Sequence, residues 1–450
     1  MDSYLVVGII IFMMIMFLLM GMYIHSVLLA SGIIGLILLE GFSILPGLLG
    51  NEPFNRVASY TLTTIPLFVL MAQFILHSGL VQDIFYIVHK ISRGRRSLLG
   101  TLTLIIGGML GAVSGSGTAT AASLGQVAVP ELRKHGYSGP LAGAIASAGG
   151  SLSGIIPPSI ILILYGVATE TPVGALFIGA FIPGVLVMVT FIIAMLFYYR
   201  RETKRSPATA EAQAEIAAAA EAEAAEEKVP VTRLAVSVIM GFLIVATIFG
   251  GIYSGIFTPT EAGAIGSVVG LLTALLLGKV NLNFFKASLT ETIKLTGMVM
   301  LIMIGAQIFG RFVSLSLLPR KLISLLEPVM DSPALVLLLI SAILFVMFMF
   351  IEGAAVILMT IPVFLPIITA LQVDVLWFGV FISVICTIGL ITPPVGLSVY
   401  AVSGVTGISS GSIFKVGMGF AVFSMIVVCG LMIAFPELAT WLPSVSGGKG

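Results

Sequence analysis

The chain has 450 residues, of which 58% are hydrophobic and only 9% are charged, and its net charge is +1. A soluble domain carries roughly 25% charged residues, so the composition excludes a soluble fold. Repeated apolar runs of about 20 residues predict an all-α, polytopic membrane protein. The balanced charge, with no basic stripe, gives no sign of nucleic-acid binding.

The first predicted repeat covers residues 1–201, and basic clusters at 90–96 and 133–135 mark its cytoplasmic loops. This placement predicts a periplasmic N-terminus. A loop holding Pro46 and Pro53 is expected between the second and third helices. The predicted elements are helices at about 4–24, 27–45 and 61–80, a re-entrant hairpin at about 98–132, a broken helix at about 139–171 and a helix at about 173–199.

The second predicted repeat covers residues 231–450 and follows a polar, Ala/Glu-rich stretch at 202–230. We expect that stretch to be a cytoplasmic linker. The order of elements then recurs. These are helices at about 233–252, 261–278 and 290–317, an amphipathic piece at about 319–331, a hairpin at about 334–371, a broken helix at about 374–404 and a last helix at about 413–435.

Two proline matches fix the alignment of the two halves. The interval from Pro130 to Pro366 equals the interval from the pair Pro157–Pro158 to the pair Pro393–Pro394, and we call it the repeat offset. Each half has five full crossings plus one hairpin, and an odd number of crossings inverts the second half relative to the first. Inverted repeats with paired broken helices are typical of secondary transporters whose site lies near the membrane midplane.

The proline pairs also predict where the helices break. Proline has no backbone N–H, so the carbonyls four residues earlier lose their helical donors. They are those of Ser153 and Gly154 in the first half and of Gly389 and Leu390 in the second. Free carbonyls are costly in lipid, so each break must face protein, water or a ligand, and such a cluster suits a cation.

Each break is expected to face a hairpin tip, and oxygen ligands without several carboxylates favour sodium over a divalent ion. Small residues that only let helices pack closely are an alternative interpretation of the tips. Glu352 could bind a ligand, cap a helix or face water. The candidate residues are Ser114, Ser116, Ser153, Ile156 and Pro158 for a first sodium site, Gly353, Gly389, Thr392 and Val395 for a second, and Ser114, Gly115, Thr118, Glu352 and Ala354 for the substrate.

Enzymatic motifs give no competing assignment. The sequence has no Walker A pattern and no HExxH motif, and its GxSxG at 407–411 does not follow a predicted strand. The cysteines Cys386 and Cys429 lack metal-ligand spacing, so we expect no transition metal and no cofactor besides sodium as coupling ion. Three alternatives stay open: a transporter working without a binding protein, a membrane-embedded enzyme, and a structural scaffold.

At these same residues the chain resembles the large membrane subunit of a TRAP transporter (tripartite ATP-independent periplasmic transporter). The resemblance covers nearly the whole chain. It rests on Ser114-Gly115-Ser116, Pro130-Glu131, Gly136-Tyr137, the segment 150–160 with Tyr165-Gly166, the segment 253–262 and the segment 389–396.

The resemblance implies a sodium-driven importer of an organic anion, such as a dicarboxylate or a sugar acid, in a bacterial inner membrane. It implies an elevator fold with a scaffold and a transport domain, and one sodium site for each hairpin and its broken helix. The implied partners are a periplasmic substrate-binding protein and a small four-helix membrane subunit. No helices of that subunit precede residue 1, so we expect it to be a separate chain.

Overall fold

The computed structural model describes residues 3–92, 96–205 and 229–446. Within these ranges the regular structure is entirely helical, with no strand. Eight of the described helices are long and apolar enough to cross a membrane. The predicted all-α, polytopic membrane fold is therefore confirmed.

Packing divides the helices into two groups, which meet directly where Leu282–Leu315 packs on Gly353–Ala370 and where Tyr60–His77 packs on Arg96–Ser114. Two connecting helices contact both groups. We call the first the frame group. It is composed of Ser3–Leu19, Ile24–Glu40, Phe42–Ile44 (3-10), Leu45–Val57, Tyr60–His77, Val231–Tyr253, Pro259–Leu276 and Leu282–Leu315. The connecting helices are Leu80–Ser92 and Leu318–Leu326, the latter followed by a 3-10 turn at Glu327–Val329.

The second group, which we call the hairpin group, contains both hairpins and both broken helices. The first hairpin is Arg96–Ser114 with Gly117–Lys134, and the first broken helix is Gly139–Ser151 with Ile160–Thr169. The second hairpin is Pro333–Phe350 with Gly353–Ala370, and the second broken helix is Val375–Gly389 with Leu397–Thr406. The group also includes Val173–Arg205, Ser410–Ala434 and Glu437–Val445.

The frame is built from helix pairs that take one member from each half of the chain. Ile24–Glu40 packs on Leu282–Leu315, where a Cβ atom on Gly32 would lie 2.7 Å from the backbone nitrogen of Phe309. Small residues allow this close approach of two backbones in a membrane. Each half therefore covers the glycine face of the other.

The second frame pair joins Tyr60–His77 to Pro259–Leu276 in the same manner. The hydroxyls of Thr64 and Thr260 are 2.6 Å apart at one end of the pair. Further along, the Ser267 hydroxyl donates a hydrogen bond of 2.8 Å to the carbonyl of Leu67. Hydroxyl bonds of this kind stabilise helix pairs where water is absent.

A buried ion pair holds the first connecting helix against the frame. Asp83 is 3% exposed, and the Arg233 guanidinium contacts both of its carboxylate oxygens, at 2.9 and 3.0 Å. The Ser237 hydroxyl donates to the same carboxylate at 2.7 Å. A carboxylate bonded by three donors is well compensated for its burial.

Hydrogen bonds donated by backbone N–H groups around the hairpins and broken helices recur at the repeat offset. The Pro157–Pro158 and Pro393–Pro394 peptide bonds are both cis. The matched hydrogen bonds support the internal repeat, while the inverted orientation of the halves stays a prediction. In each case the N–H of the first residue donates to the second. The bond from Ala119 to Ser116 matches that from Ala355 to Glu352, the bond from Tyr137 to Leu132 matches that from Val373 to Ile368, and the bond from Leu141 to Ser138 matches that from Trp377 to Asp374.

The loop expected around Pro46 and Pro53 is wrong, because residues Leu45–Val57 form a helix. Pro46 lies in its first turn, where the missing N–H has no helical partner to lose. Pro53 lies inside the helix, in spite of the cost of removing one bond. Neither proline therefore prevents the helix.

The prediction that 413–435 is the last helix is also wrong. A further helix, Glu437–Val445, folds back onto Val173–Arg205, and a Cβ atom on Gly179 would lie 2.6 Å from the Ala439 carbonyl. Residues 206–228 of the predicted linker at 202–230 lie outside the described residues. Residues 202–205 belong to the helix ending at Arg205.

Candidate functional site

The first break begins with a 3-10 turn at Leu152–Gly154 and stays non-helical up to Ser159. The prediction that the Gly154 carbonyl is free is wrong, because the Ser159 hydroxyl donates a hydrogen bond of 2.8 Å to it. The serine thus supplies a donor that the preceding prolines lack.

The second break covers residues 390–396. Here both predicted free carbonyls are bonded. The N–H of Thr392 donates to the Gly389 carbonyl at 3.0 Å, and the N–H of Ser398 donates to the Leu390 carbonyl at 3.2 Å. A carbonyl oxygen has two lone pairs, so one hydrogen bond leaves each able to ligate a cation.

The tip of the first hairpin lies against the first break. A Cβ atom on Gly117 would lie 3.3 Å from the Ser153 hydroxyl and 3.6 Å from the Gly150 carbonyl oxygen. One on Gly115, whose φ is +59°, would lie 3.6 Å from the Pro158 carbonyl oxygen. The structure therefore places the tip beside two members of the first predicted sodium site, Ser153 and Pro158.

The hydroxyls of the first tip also bond one another. Ser114 bonds to Thr120, which the sequence analysis did not select. Ser116 accepts a hydrogen bond of 3.4 Å from the Ala119 N–H and lies 3.3 Å from the Thr118 hydroxyl. These bonds fix the shape of the tip and leave lone pairs on its hydroxyl oxygens.

Ser153 and Ile156 offer different groups to the first site. The Ser153 hydroxyl is fully buried and has no hydrogen-bond partner among the described residues. A buried polar group without a partner is costly, so binding of a ligand that coordinates or hydrogen-bonds this hydroxyl is favoured. The Ile156 side chain has no oxygen and packs towards Gly108, where a Cβ atom would lie 2.8 Å from its Cδ1. Only the Ile156 backbone can therefore contribute an oxygen.

The second hairpin lies against the second break in a similar way. The Val395 N–H donates a hydrogen bond of 3.1 Å to the Met349 carbonyl, at the end of the second hairpin's first helix, Pro333–Phe350. A Cβ atom on Gly389 would lie 3.3 Å from the Phe348 carbonyl oxygen. Two members of the second predicted site, Gly389 and Val395, therefore contact the same turn of the hairpin.

The other two members of the second site are Gly353 and Thr392. A Cβ atom on Gly353 would lie 2.5 Å from Cys386 Sγ, so Gly353 packs directly on the broken helix. The Thr392 hydroxyl donates to the Ile388 carbonyl at 2.7 Å and keeps its lone pairs, so its hydroxyl and its carbonyl oxygen are both candidate ligands. Like the first site, this set presents mainly neutral oxygens.

The two broken helices also contact each other, which local motifs did not reveal. A Cβ atom on Gly154 would lie 2.7 Å from the Thr387 hydroxyl oxygen. The Tyr165 hydroxyl donates a hydrogen bond of 2.7 Å to the carbonyl of Val375. The two candidate sodium sites thus belong to one packed unit, and the only sequence signal for their proximity is the pairing of the halves.

The predicted substrate residues are divided between the two tips. Ser114, Gly115 and Thr118 lie on the first tip. On the second tip Ala354 is buried, while Glu352 is partly buried and caps the helix that begins at Gly353, accepting a bond of 3.3 Å from the Ala355 N–H. The capping interpretation of Glu352 is confirmed by this bond. Its role towards substrate stays a prediction.

Comparison with known proteins identifies the family. Residues 11–438 match the family described as the tripartite ATP-independent periplasmic transporter, DctM component. The chain is 30% identical over 394 residues to the C4-dicarboxylate TRAP transporter large permease protein of Pseudomonas aeruginosa, covering 87% of each chain. It is 28% identical over 401 residues to the sialic acid TRAP transporter large permease protein of Vibrio cholerae, covering 89% of this chain and 90% of that one.

A solved structure shows the same fold. The YdaH transporter of Alcanivorax borkumensis superimposes with a TM-score of 0.66 over 95% of this chain and 99% of its own, at 13% sequence identity. The large-permease relatives are named as transporter proteins, which excludes an enzyme. The chain therefore belongs to the DctM component family of tripartite ATP-independent periplasmic transporters, as a multi-pass large membrane subunit.

Proposed function

We propose that this subunit imports a small organic anion by symport with sodium. The support comes from the two hairpin–break contacts, each of which gathers neutral backbone and hydroxyl oxygens around a break. Oxygen sets without several carboxylates suit a weakly held monovalent cation. The inward movement of net positive charge would gain about 2.3 kcal/mol per charge at a potential of 100 mV.

The substrate class follows from the relatives and from the site. The relatives are named for C4-dicarboxylates and for sialic acid, so we propose a carboxylate for this chain as well. The helices after the tips begin at Gly117 and Gly353, and helix N-termini attract anions. The Ser114 and Thr118 hydroxyls would add donors, which explains how a carboxylate could be held mainly by dipoles.

We further propose that the hairpin group moves against the frame group as an elevator. Three groups of contacts support this division. The hairpins pack on the broken helices, the frame helices pack on one another, and the connecting helices Leu80–Ser92 and Leu318–Leu326 contact both groups. On this proposal the frame corresponds to the scaffold and the hairpin group to the transport domain.

The partners and the placement in the membrane are part of the same proposal. A periplasmic binding protein would deliver the anion, and a small four-helix membrane subunit would pack on this one in the inner membrane of a bacterium. The N-terminus would be periplasmic and residues 202–230 cytoplasmic. That the small subunit is a separate chain stays a prediction.

Uptake into proteoliposomes tests this function. The vesicles would contain this subunit with its small subunit, and the binding protein would be added outside with a labelled dicarboxylate or sugar acid. We expect uptake to require both the binding protein and an inward sodium gradient. Uptake that persists when choline replaces sodium would refute sodium coupling, and uptake without the binding protein would favour a self-sufficient transporter.

A further inference from the structure

The two hairpin tips carry different capping groups at equivalent positions, a hydroxyl on the first and a carboxyl on the second. Ser116 and Glu352 are related by the repeat offset, and each accepts a hydrogen bond from the N–H three positions later, at 3.4 and 3.3 Å. Both residues therefore cap the second helix of their hairpin. The first tip does so with a neutral hydroxyl and the second with a carboxylate.

The charged cap lies next to the second candidate sodium site. Glu352 directly precedes Gly353, which is a member of that site. Three residues before Glu352, the Met349 carbonyl accepts a hydrogen bond of 3.1 Å from Val395, another member. The carboxylate is thus held at the turn of the hairpin that contacts the second break.

No basic side chain balances this carboxylate in the described part of the chain. The ion pairs found there join Lys134 to Glu131, Arg233 to Asp83 and Lys294 to Glu291. Glu352 is partly buried between two apolar hairpin helices. A charge in such a place is expensive unless a counter-charge is close, and a sodium ion at the second site would provide one.

We propose that Glu352 sets the sodium affinity of the second site and makes it the tighter of the two. This inference rests on the proposed sodium sites. The carboxylate need not touch the ion, because a charge a few ångströms away in a medium of low dielectric constant already favours a cation by several-fold to a hundredfold. The first site has no such charge, so sodium binds there more weakly.

The same charge argues against Glu352 as a ligand of the transported anion. A carboxylate substrate would be repelled by a second carboxylate unless a cation lay between them. A sodium ion bound beside Glu352 removes that repulsion. Sodium at the second site would therefore precede the anion, and the first tip, with Ser114 and Thr118, would be the principal contact of the substrate.

The test measures sodium binding without substrate, in the complex of this subunit with its small subunit. Thermal stability would be followed as sodium chloride replaces choline chloride at constant ionic strength, since a ligand of the folded state raises stability with its concentration. Glu352→Gln keeps a capping oxygen and removes the charge. We expect its half-saturating sodium concentration to rise at least about tenfold, with little change in choline alone.

Three further variants separate charge from structure. Glu352→Asp keeps the charge and should stay within about threefold of the wild type. Ser116→Asp places a carboxylate on the first tip and, combined with Glu352→Gln, should recover much of the lost affinity. Glu261→Gln is the matched control, because Glu261 bonds Thr258 at a frame helix end and should leave sodium binding unchanged.

The possible outcomes are distinct. A Glu352→Gln curve that superimposes on the wild-type curve would overturn the role of Glu352 and leave sodium symport intact. An equal loss in Glu352→Asp would also overturn it, because the charge would then be irrelevant. A wild-type complex with neither sodium-specific stabilisation nor sodium-dependent uptake would instead refute the proposed function.

Discussion

The first helix of each hairpin meets its broken helix at Ser153 in the first half and at Gly389 in the second. At this point the small residue lies on the hairpin in the first half and on the broken helix in the second. A Cβ atom on Gly111 would lie 2.7 Å from the Ser153 backbone nitrogen, and one on Gly389 would lie 2.5 Å from Phe348 Cβ. Ser153 and Gly389 are equivalent positions at the repeat offset. The same close approach is therefore achieved twice, by removing a side chain from opposite partners.

The two breaks also satisfy their carbonyls differently. In the first, the Ser159 side chain bonds the Gly154 carbonyl, while Val395 takes the place of Ser159 in the second. There the backbone N–H of Ser398 bonds the Leu390 carbonyl instead. The two breaks therefore lie at equivalent positions but bond their carbonyls through different donors, so affinity and stability can be adjusted separately in each.

The largest expected effect comes from exchanging one residue between the halves. Gly150 and Cys386 are equivalent at the repeat offset, and a Cβ atom on Gly150 would lie 2.5 Å from the Ala121 backbone nitrogen. Gly150→Cys should lower the free energy of unfolding by about 3 kcal/mol and abolish uptake. Cys386→Gly should cost only about 1–2 kcal/mol, through lost packing on Gly353. Melting curves of the two purified variants test this order, and equal losses would contradict it.

Removing the proline pairs should give the next largest effect. In Pro157→Ala/Pro158→Ala, and likewise in Pro393→Ala/Pro394→Ala, restored N–H groups can bond the carbonyls four residues earlier and close the break. We expect the half-saturating sodium concentration for uptake to rise at least about tenfold, which corresponds to about 1.4 kcal/mol. The control is Pro183→Ala, because Pro183 lies inside the unbroken helix Val173–Arg205. Unchanged sodium dependence in both double variants would remove the assignment of the sites to the breaks.

Removing the hydrogen bond between the two broken helices should have a smaller effect than removing the proline pairs. Tyr165→Phe removes the hydrogen bond to the Val375 carbonyl and keeps the ring in place. The expected loss is about 1 kcal/mol of unfolding free energy, since the carbonyl is left without that donor. Tyr253→Phe is a suitable control, because its bond to the Phe177 carbonyl is long, at 3.4 Å. A loss in Tyr165→Phe no greater than that in the control would show that the broken helices do not depend on this bond.

The smallest predicted effect concerns the donor that only the first break has. Ser159→Ala removes the bond to the Gly154 carbonyl and gives the first break an apolar side chain where the second has Val395. We expect a stability loss of about 0.5–1 kcal/mol and a small change in sodium dependence. Val395→Ala, at the equivalent position, should leave the second break's carbonyl bonds intact. A larger change in sodium dependence in Val395→Ala than in Ser159→Ala would contradict this prediction, because the Val395 side chain would then matter more than the Ser159 hydroxyl.

The parts of the fold that follow from local chemistry could be predicted from the sequence. The proline pairs mark both breaks, because a missing N–H acts on the helix that contains it. The glycine- and serine-rich segment at 111–118 marks the first tip, and the helix there does break after Ser114. The sodium and substrate assignments built on these positions stay predictions.

What could not be predicted depends on residues outside the local helical pattern. The donor to the Leu390 carbonyl, Ser398, lies beyond the break, so no helical rule selects it. The contact of Gly154 with Thr387 joins the two halves and has no local signature. The loop prediction failed at Pro46 because a proline in the first turn loses no helical bond. At Pro53 the packing of Leu45–Val57 on Leu282–Leu315 offsets the local penalty.

The frame pairs have a consequence for how the protein is made. Gly32 and Gly35 lie on a helix synthesised early, but the surface that covers them, around Phe309 and Phe312, is synthesised only in the second half of the chain. At about 5–20 residues per second, a nascent chain would wait roughly 15–50 s for that surface. During this interval the early helices must rest on lipid or on the insertion machinery. Substitutions on these glycine faces should therefore impair membrane insertion and folding before they impair transport.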